Sequence, residues 1–289
     1  MNVAEIIRQS LVARAPTAGN IILNPVGGGS INDCYRISLP AETIFCKVNS
    51  ATNFPHLFKQ EKSGLAAIAD TGLIKTPTVI DCFENSGYQF LLLEWIAEGE
   101  RTDTFWQSFG RQLAALHTAS CNTHGFREDN YMGSVPQSNK PAETWCSFFE
   151  RERLQPMIQR CLAKGLLTKI HGQQFDVILK KLPLIFEEEP PSLLHGDLWS
   201  GNFICNREAE PVLIDPAVYY GHRSMDLAMT TLFGGFRPPF YEAYNHHFPL
   251  PLNYKEQWAI CNLYPLLIHL YLFGSGYLPQ IQSVLKQFA

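Results

Sequence analysis

Two short segments in the second half of the chain limit its possible folds more than any other feature. Residues 195–202 have the sequence HGDLWSGN, and residues 213–217 have the sequence LIDPA. In kinases an Asp orients or deprotonates the acceptor hydroxyl, an Asn shortly after it binds Mg²⁺, and a second Asp holds the metal against the ATP phosphates. Asp197, Asn202 and Asp215 match these three positions. The spacing therefore predicts phosphoryl transfer from ATP with Mg²⁺.

The composition is that of a folded chain. Its 289 residues, 46% hydrophobic and 17% charged, suffice for one catalytic unit of two lobes. The net charge is −4 and the Lys and Arg residues are not clustered, which argues against nucleic acid as a partner. Residues 258–277, the most apolar stretch, contain Asn262, Pro265 and His269, so no membrane span is predicted.

The spacing of the cysteines and the first ten residues both bear on the cellular location of the protein. Eight cysteines are scattered without any C-x-x-C pair, which argues against zinc ribbons and against a disulfide scaffold. The first ten residues lack the basic segment and apolar core of a signal peptide. We therefore expect a cytoplasmic protein.

Apolar periodicity divides the chain into two lobes. An N-terminal helix of about a dozen residues precedes strands predicted at residues 21–23, 34–38, 43–48, 78–83 and 88–95, with a helix at residues 58–70. Helical spacing follows at residues 103–117, 142–164 and 171–186, and short strands at residues 203–205 and 212–214. This predicts an α+β fold: an antiparallel-sheet N-terminal lobe, residues 1–96, with the glycine-rich loop and nucleotide lysine, and a helical C-terminal lobe, residues 97–289, with the catalytic loop and acceptor site.

The predicted N-terminal lobe contains candidate phosphate-binding residues. Backbone N–H groups of Gly27, Gly28 and Gly29 can approach phosphate oxygens without interference from a Cβ, and Ser30 adds a polar tip. A flexible turn would explain the glycines equally well. Lys47 lies in an apolar strand and Glu61 follows on a helix, as in the lysine and glutamate pair of kinases. The alternative is an exposed Lys47 on an edge strand and a solvated Glu61.

Other residues near the two segments have more than one interpretation. His195 is expected to support the loop backbone, although His195 and Asp197 together could also be ligands of a hydrolytic metal site. Asp226 is expected to cap a helix or to reach the loop backbone. Trp199 could stack on a sugar or an amine of the substrate, or belong to the core. Cys34 could be exposed and oxidisable, or inert.

The chain resembles the fructosamine kinase (ketosamine-3-kinase) family, relatives of aminoglycoside and choline phosphotransferases with a protein-kinase-like fold. The resemblance extends over nearly the whole chain. It rests on residues 194–202 and on further matching segments, namely residues 27–31, 45–49, 129–133, 145–149, 153–154, 215–223, 232–236 and 269–274. The string LHGDLWSGN with Trp199 is specific to the family, whereas HGD with Asn and Asp is shared by the wider group.

The resemblance implies a substrate and a set of roles. The substrate would be a ketosamine, the product of glycation of an amine or a protein lysine, and phosphorylation of its sugar 3-hydroxyl would start deglycation. Asp197 would be the catalytic base, Asn202 and Asp215 the Mg²⁺ ligands, and Lys47 and Glu61 the pair that holds the ATP phosphates. The connector that reads adenine would contain Leu93, Glu94, Trp95 and Ile96.

One departure from the family concerns association. Some members have a cysteine at the position of Ser30 and form a redox-sensitive dimer through it, which Ser30 does not allow; Cys34 lies four residues further on. We expect a monomer or a weak dimer. The sequence leaves open the preferred sugar and whether the acceptor is free or protein-bound. It also leaves open another sugar, an amino alcohol or an aminoglycoside as acceptor, and a non-catalytic nucleotide-binding role.

Overall fold

An antiparallel sheet forms the centre of the N-terminal part of the molecule. The structure is a computed structural model that describes residues 3–14, 21–27 and 31–289. Within these residues, five strands pair in the order β1-β2-β3-β5-β4. They are β1 (Ile22–Val26), β2 (Asp33–Ser38), β3 (Thr43–Ser50), β4 (Val79–Asn85) and β5 (Tyr88–Glu94), and every neighbouring pair is antiparallel. The predicted sheet is confirmed.

Two helices cover opposite faces of this sheet. Side chains of β5 alternate between the faces, as the twofold period of a strand requires. Phe90 and Leu92 pack with helix α1 (Val3–Arg14), whereas Leu91 and Leu93 pack with helix α2 (Leu57–Ala69). The sequence predicted both helices but not their placement. Glu61 lies on α2, and Lys47 of β3 therefore faces it.

The rest of the chain is mostly helical. Its helices bury two apolar clusters, one of which is built around Trp145 and Phe175 and the other around Trp106 and Phe109. The helices are α3 (Asp103–Leu116), α4 (Trp145–Phe148), α5 (Gln155–Ala163), α6 (Lys169–Ile185), α7 (Ser224–Leu232), α8 (Pro238–His247), α9 (Tyr254–Cys261), α10 (Leu263–Phe273) and α11 (Leu278–Phe288). A 3₁₀ segment, Ser275–Tyr277, precedes α11.

The helix predicted at residues 142–164 begins later and contains an irregularity. A π-helical segment, Phe149–Leu154, joins α4 to α5. A π turn widens the hydrogen-bonded spacing to five residues, so Phe149 and Leu154 both face the core. Periodicity at 3.6 residues does not reveal such a turn.

Three short pairs of antiparallel strands lie among the helices. They are β6 (Asn130–Met132) with β7 (Val135–Gln137), β8 (Ser192–Leu194) with β11 (Tyr219–Gly221), and β9 (Phe203–Cys205) with β10 (Pro211–Leu213). Strands β9 and β10 confirm the prediction within one residue. Because β8 ends just before His195 and β10 just before Ile214, residues 195–202 and Asp215 follow strand ends that lie next to each other, as the 2.8 Å contact of His195 Nε2 with Ile214 O shows.

In the described residues no helix is both long and apolar enough to cross a membrane.

The segment between the sheet and α3 bridges the two parts of the molecule, since Glu98 pairs with Asn206 and Gly99 N donates to Cys205 O at 2.8 Å. The lobe boundary after residue 96 stays a prediction.

Candidate active site

Lys47 lies between two carboxylates. Its Nζ is 2.6 Å from Oε1 of Glu61 and 2.6 Å from Oδ1 of Asp215. The Lys47 side chain is only 2% exposed. Burial opposes its charge, but the carboxylates of Asp215 and Glu61 outweigh burial and raise the pKa of Lys47. The pairing of Lys47 with Glu61 confirms the contact predicted from sequence, and the lysine is held as a cation.

Both ring nitrogens of His195 form hydrogen bonds with backbone groups of the two segments. Its Nε2 lies 2.8 Å from the carbonyl of Ile214, and its Nδ1 accepts from the backbone N–H of Asp197 at 3.2 Å. These partners place the proton on Nε2. Burial lowers the pKa of His195, so the ring is neutral. The predicted structural role of His195 is confirmed.

Gly196 and Asp226 fix the backbone of the same loop. Gly196 has φ +82°, and a Cβ there would lie 2.1 Å from the carbonyl oxygen of Ala217, so only glycine fits. Asp226, on α7, accepts the N–H groups of His195 at 2.7 Å and of Gly196 at 2.9 Å. His117 Nε2 lies 3.2 Å from the same carboxylate. The second of the two roles predicted for Asp226, contact with the loop backbone, is confirmed.

Asp197 projects from this loop and is partly buried. Asn202 Nδ2 donates to the Asp197 carbonyl at 2.8 Å and to its Oδ2 at 3.0 Å. Burial raises the pKa of Asp197 to about 7, the Asn202 hydrogen bond opposes this rise, and the carboxylates of Asp215 and Asp226 add to it. An Asp at this pKa exchanges a proton near neutral pH, as a base in proton transfer must.

Asp215 occupies a strained backbone position beside the loop. Its φ is +55°, a left-handed conformation that few residues other than glycine adopt and that clusters at functional sites. Hydrogen bonds hold the chain on either side, from Ile214 N to Asn202 O at 3.1 Å and from Ala217 N to His195 O at 2.8 Å. The side chain is 41% exposed, so one face of the carboxylate is open to a ligand.

The oxygen donors of Asn202 and Asp215 are suited to a hard cation. Because the amide nitrogen of Asn202 faces Asp197, its amide oxygen points away from Asp197. One carboxylate and one amide oxygen, completed by phosphate and water, are the kind of set that Mg²⁺ takes. Across the described ranges, no cluster of three or more His, Cys, Asp or Glu side chains could hold a metal by itself.

The predicted glycine-rich loop is described only in part. Gly28, Gly29 and Ser30 fall outside the described residues. A Cβ added at Gly27 would meet no atom of the described residues within 4 Å, so packing against them does not require this glycine.

The predicted connector begins at the end of β5. Leu93 is buried, and Glu94 Oε2 accepts from the Thr78 hydroxyl at 2.9 Å. The ring of Trp95 lies 6.2 Å from that of Phe45, centroid to centroid. Contact of Leu93, Glu94, Trp95 and Ile96 with adenine stays a prediction.

Cys34 lies opposite Lys47 in the pairing of β2 with β3. Burial raises the pKa of its thiol to about 11, although Lys47 lowers it. Because a protonated thiol is a poor nucleophile, this favours the inert alternative for Cys34.

Trp199 lies at the edge of the core. Its partly buried ring packs against the larger apolar cluster and meets Phe233 edge-on, with 6.1 Å between ring centroids. A Cβ at Gly201 would lie 2.3 Å from the indole, so this glycine makes room for the ring. The prediction that Trp199 belongs to the core is therefore correct for the side of the ring that packs against this cluster. Contact of the other side with substrate stays a prediction.

Comparison with known proteins assigns the chain to a family. The sequence model of the fructosamine kinase family matches residues 4–289. The chain belongs to the fructosamine kinase family. A Synechocystis protein named probable ketoamine kinase is 39% identical over 264 residues, which cover 91% of this chain and 88% of that protein. As a member of this family of kinases, the protein is a phosphotransferase.

Solved structures confirm the fold of this family member. A crystal structure of a candidate fructosamine-3-kinase from Thermobifida fusca has a TM-score of 0.86 at 30% identity and covers 96% of this chain and 97% of that one. The choline kinase of Streptococcus pneumoniae has a TM-score of 0.61 at 16% identity, with 99% and 98% covered, which shows the fold alone. The two-lobed, protein-kinase-like α+β fold predicted from sequence is confirmed.

This member of the fructosamine kinase family also contains a buried hydrogen-bond network that its sequence did not reveal. Asn130 Nδ2 donates to the carbonyl of Val218 at 2.8 Å, and Gln137 Nε2 donates to Asn130 Oδ1 at 2.8 Å. Tyr264 donates its hydroxyl proton to Gln137 Oε1 at 2.8 Å. The network holds the segment that follows Asp215. Asn130 lies in one of the family-like segments, whereas nothing in the pattern around Gln137 or Tyr264 indicates this contact.

Proposed function

We propose that this protein is an ATP-dependent kinase that phosphorylates the sugar 3-hydroxyl of ketosamines, the fructosamine or ribulosamine adducts of amines and protein lysines. The reaction would be a step in protein deglycation. The observation that carries the proposal is the ion-paired Lys47, whose partner Asp215 lies beside the loop of Asp197 and Asn202. Family membership supports the acceptor class.

Lys47 would hold the phosphates of ATP. Its charge is maintained by two carboxylates, and Glu61, on α2, limits its position. Gly27, with open space around its Cα, would allow close approach of a phosphate, and Gly28, Gly29 and Ser30 would continue that loop. Leu93, Glu94, Trp95 and Ile96 would border the adenine.

Asn202 and Asp215 would hold Mg²⁺. Both offer oxygen donors, and the exposed part of the Asp215 carboxylate leaves room for the ion. When bound, Mg²⁺-ATP supplies the phosphoryl group and neutralises charge that develops during its transfer.

Asp197 would orient the acceptor hydroxyl and accept its proton. Its backbone is fixed through Gly196 and Asp226, and the Asn202 amide fixes its carboxylate. A pKa near 7 lets Asp197 be deprotonated before the reaction and keep the proton afterwards. Trp199, two residues away, would contact the sugar or the amine of the substrate.

Two further features belong to the proposal. All eight cysteines are free, which is typical of proteins from reducing compartments and supports a cytoplasmic location. We propose a monomer or weak dimer as the active form, because Lys47 meets Glu61 and Asp215 within a single chain.

The proposal is tested by ADP release from the purified protein with Mg²⁺-ATP. The acceptors are fructosyl- and ribulosyl-lysine, with lysine, choline and an aminoglycoside as controls. Turnover that requires a ketosamine, with mass spectrometry showing release of the free amine, supports the proposal and ranks the sugars. Turnover of choline or the aminoglycoside alone would move the protein to another acceptor class, and ATP binding without any turnover would favour the non-catalytic alternative.

A further inference from the structure

A row of aromatic rings leads away from Trp199 across the surface. We call the rings of Trp199, Phe233, His269, Phe273 and Tyr277 the aromatic strip. The centroid distances are 6.1 Å from Trp199 to Phe233, 4.8 Å from Phe233 to His269 and 5.5 Å from His269 to Phe273. Tyr277 lies 5.1 Å from His269. The rings form a continuous surface that starts two residues from Asp197.

Two rings of the aromatic strip are unusually open to solvent. Phe233 is 39% exposed and Phe273 is 58% exposed. Among the Phe, Trp and Tyr residues that the structure describes, Tyr88, at 38%, is the only other one that is exposed. Clustered exposed apolar side chains mark binding surfaces more often than scattered ones do. The aromatic strip is therefore a candidate ligand surface.

A glycine lets the chain beside the aromatic strip pack closely against the catalytic loop, and other glycines leave the outer side of the aromatic strip uncovered. Gly235 has φ +93°, and a Cβ there would lie 2.5 Å from Cβ of Ser200, so the segment after Phe233 packs directly on the loop of Asp197. A Cβ added at Gly234, Gly274 or Gly276 would meet no atom of the described ranges within 4 Å. The space beside Phe233 and Phe273 is therefore open.

Leu272, the chain neighbour of Phe273, lies close to a residue of the N-terminal part. A Cβ added at Gly133, in the turn between β6 and β7, would lie 3.4 Å from Cδ1 of Ile31 and 3.8 Å from Cδ1 of Leu272. Ile31 precedes β2 and continues the glycine-rich loop, and Leu272 precedes Phe273.

The aromatic strip is uncharged. Residues 232–236 and 269–278 contain no Asp, Glu, Lys or Arg. His269 Nδ1 donates to the carbonyl of Pro265 at 2.7 Å, and burial keeps the ring neutral by lowering its pKa. Such a surface favours apolar chains, and its aromatic faces attract a cation that lies over them. Charged termini would lose hydration there without gaining a partner.

We propose that the aromatic strip binds the amine side of the acceptor, namely the aliphatic stem of a glycated lysine within a peptide. The inference rests on the proposed function. In a ketosamine the nitrogen is attached two carbons from the carbon that bears the 3-hydroxyl, so the amine leaves the reacting end close to Asp197. Trp199 then meets the cationic nitrogen, the four-carbon stem of the lysine lies over Phe233, and the peptide groups beyond the stem continue towards Phe273.

The test compares two acceptors with the same sugar: the ketosamine of methylamine and the ketosamine of Nα-acetyl-lysine amide. The ratio of their kcat/KM values measures what the stem and the peptide groups contribute. From burial of several methylene groups we expect a ratio of about ten in favour of the lysine adduct. Phe273→Ala should lower this ratio towards one, and Phe273→Leu, which keeps apolar area, should restore most of it.

Tyr88→Ala is the control, since Tyr88 is also an exposed aromatic residue but lies at the start of β5, and it should preserve the ratio. Equal kcat/KM for both adducts, or an equal loss on both in Phe273→Ala, would overturn the inference and leave the proposed function standing. Absence of turnover with either adduct would reject the proposed function and the inference with it. Sedimentation of the wild type and of Phe273→Ala measures the oligomeric state. If the wild type is a dimer, and Phe273→Ala is a monomer with an unchanged ratio of kcat/KM values, the aromatic strip is a self-association surface and the inference is overturned.

Discussion

The Nζ atom of Lys47 lies 2.6 Å from Oδ1 of Asp215, although 168 residues separate them in the sequence. This ion pair joins the sheet of the N-terminal part to the loop that follows β10. It is also asymmetric, because Lys47 is buried and Asp215 is 41% exposed. In the proposed reaction the open carboxylate of Asp215 would exchange its lysine partner for a metal ion, whereas the largely covered carboxylate of Glu61 would keep Lys47 in place.

Lys47→Met should impair both activity and stability. The variant removes the cation proposed to contact the phosphates, so we expect kcat/KM for ATP to fall by roughly 10²- to 10³-fold. It also leaves the Glu61 carboxylate buried without its partner, which should lower the free energy of unfolding by about 1–3 kcal/mol. Michaelis kinetics and urea unfolding measure the two effects.

Glu61→Gln in the Lys47→Met background separates these effects. Removing the unpaired charge should recover part of the lost free energy of unfolding without recovering activity. If the double variant were no more stable than Lys47→Met, the buried carboxylate would not be the source of the destabilisation.

Asp197→Asn should abolish turnover and preserve the fold. Loss of the proposed base is expected to lower kcat by roughly 10²- to 10⁴-fold. Because burial disfavours the charge of Asp197, a neutral side chain of the same shape should not lower the melting temperature. Circular dichroism and ADP release check the two parts. A folded variant with wild-type kcat would contradict the assignment of Asp197 as base.

The pH dependence of kcat/KM for ATP should report the titration of Asp197. A base acts in its deprotonated form, so activity should rise as the pH increases through the pKa of Asp197, about 7, and be lost below it. Bound Mg²⁺ would favour the carboxylate, so the midpoint for kcat at saturating ATP should lie at lower pH. A flat profile between pH 5.5 and pH 8 is the result that this interpretation does not allow.

The sequence predicted local relationships better than distant ones. Asp197 and Asn202 are five residues apart in one loop, and their hydrogen bond follows from that spacing. The contacts of Gln137 with Asn130 and Tyr264 join separate elements and are carried by ordinary polar residues, which no periodicity distinguishes. A hydrophobic pattern shows which face of an element is buried, but not which element covers it.

The same limit explains the outcome for the N-terminal part. The continuous apolar run in β5, residues 90–93, is typical of a strand buried on both faces, and the apolar residues of α1 are typical of a helix with one buried face. Nothing local to either segment states that α1 lies across the sheet from α2. The family resemblance provided the kinase fold, whereas the exposure of the aromatic strip depends on which surfaces stay uncovered after folding and was visible only in the structure.

Asp226→Asn should affect catalysis through the loop backbone. Both carboxylate oxygens accept loop N–H groups, and the amide of Asn would place an NH₂ group against one of those donors. We expect a loss of about 1–3 kcal/mol in the free energy of unfolding, from one unsatisfied buried N–H. We also expect a lower kcat, with KM for ATP changed less, because Lys47 and Glu61 are untouched. A variant with reduced stability and unchanged kcat would show that Asp226 serves the fold alone.

His124 should make the stability of the protein depend on pH. Its ring is buried beside Trp145, its Nδ1 has no hydrogen-bond partner among the described residues, and burial lowers its pKa from 6.5 to about 4. Between these values the unfolded chain binds a proton that the native chain does not, so stability falls as the pH decreases from 6.5 towards 4, by roughly 2–3 kcal/mol. Buried His222 acts in the same direction, since burial also lowers its pKa to about 4.

His124→Phe isolates this contribution, because it keeps an aromatic ring and removes the titration. Urea unfolding at pH 7 and pH 4.5 should show a smaller loss of stability on acidification in His124→Phe than in the wild type. His246→Phe changes an exposed histidine of α8 and should retain the wild-type loss. An identical loss in the wild type and in both variants would mean that acid destabilisation comes from other groups, with His222 and the paired carboxylates the next to be replaced.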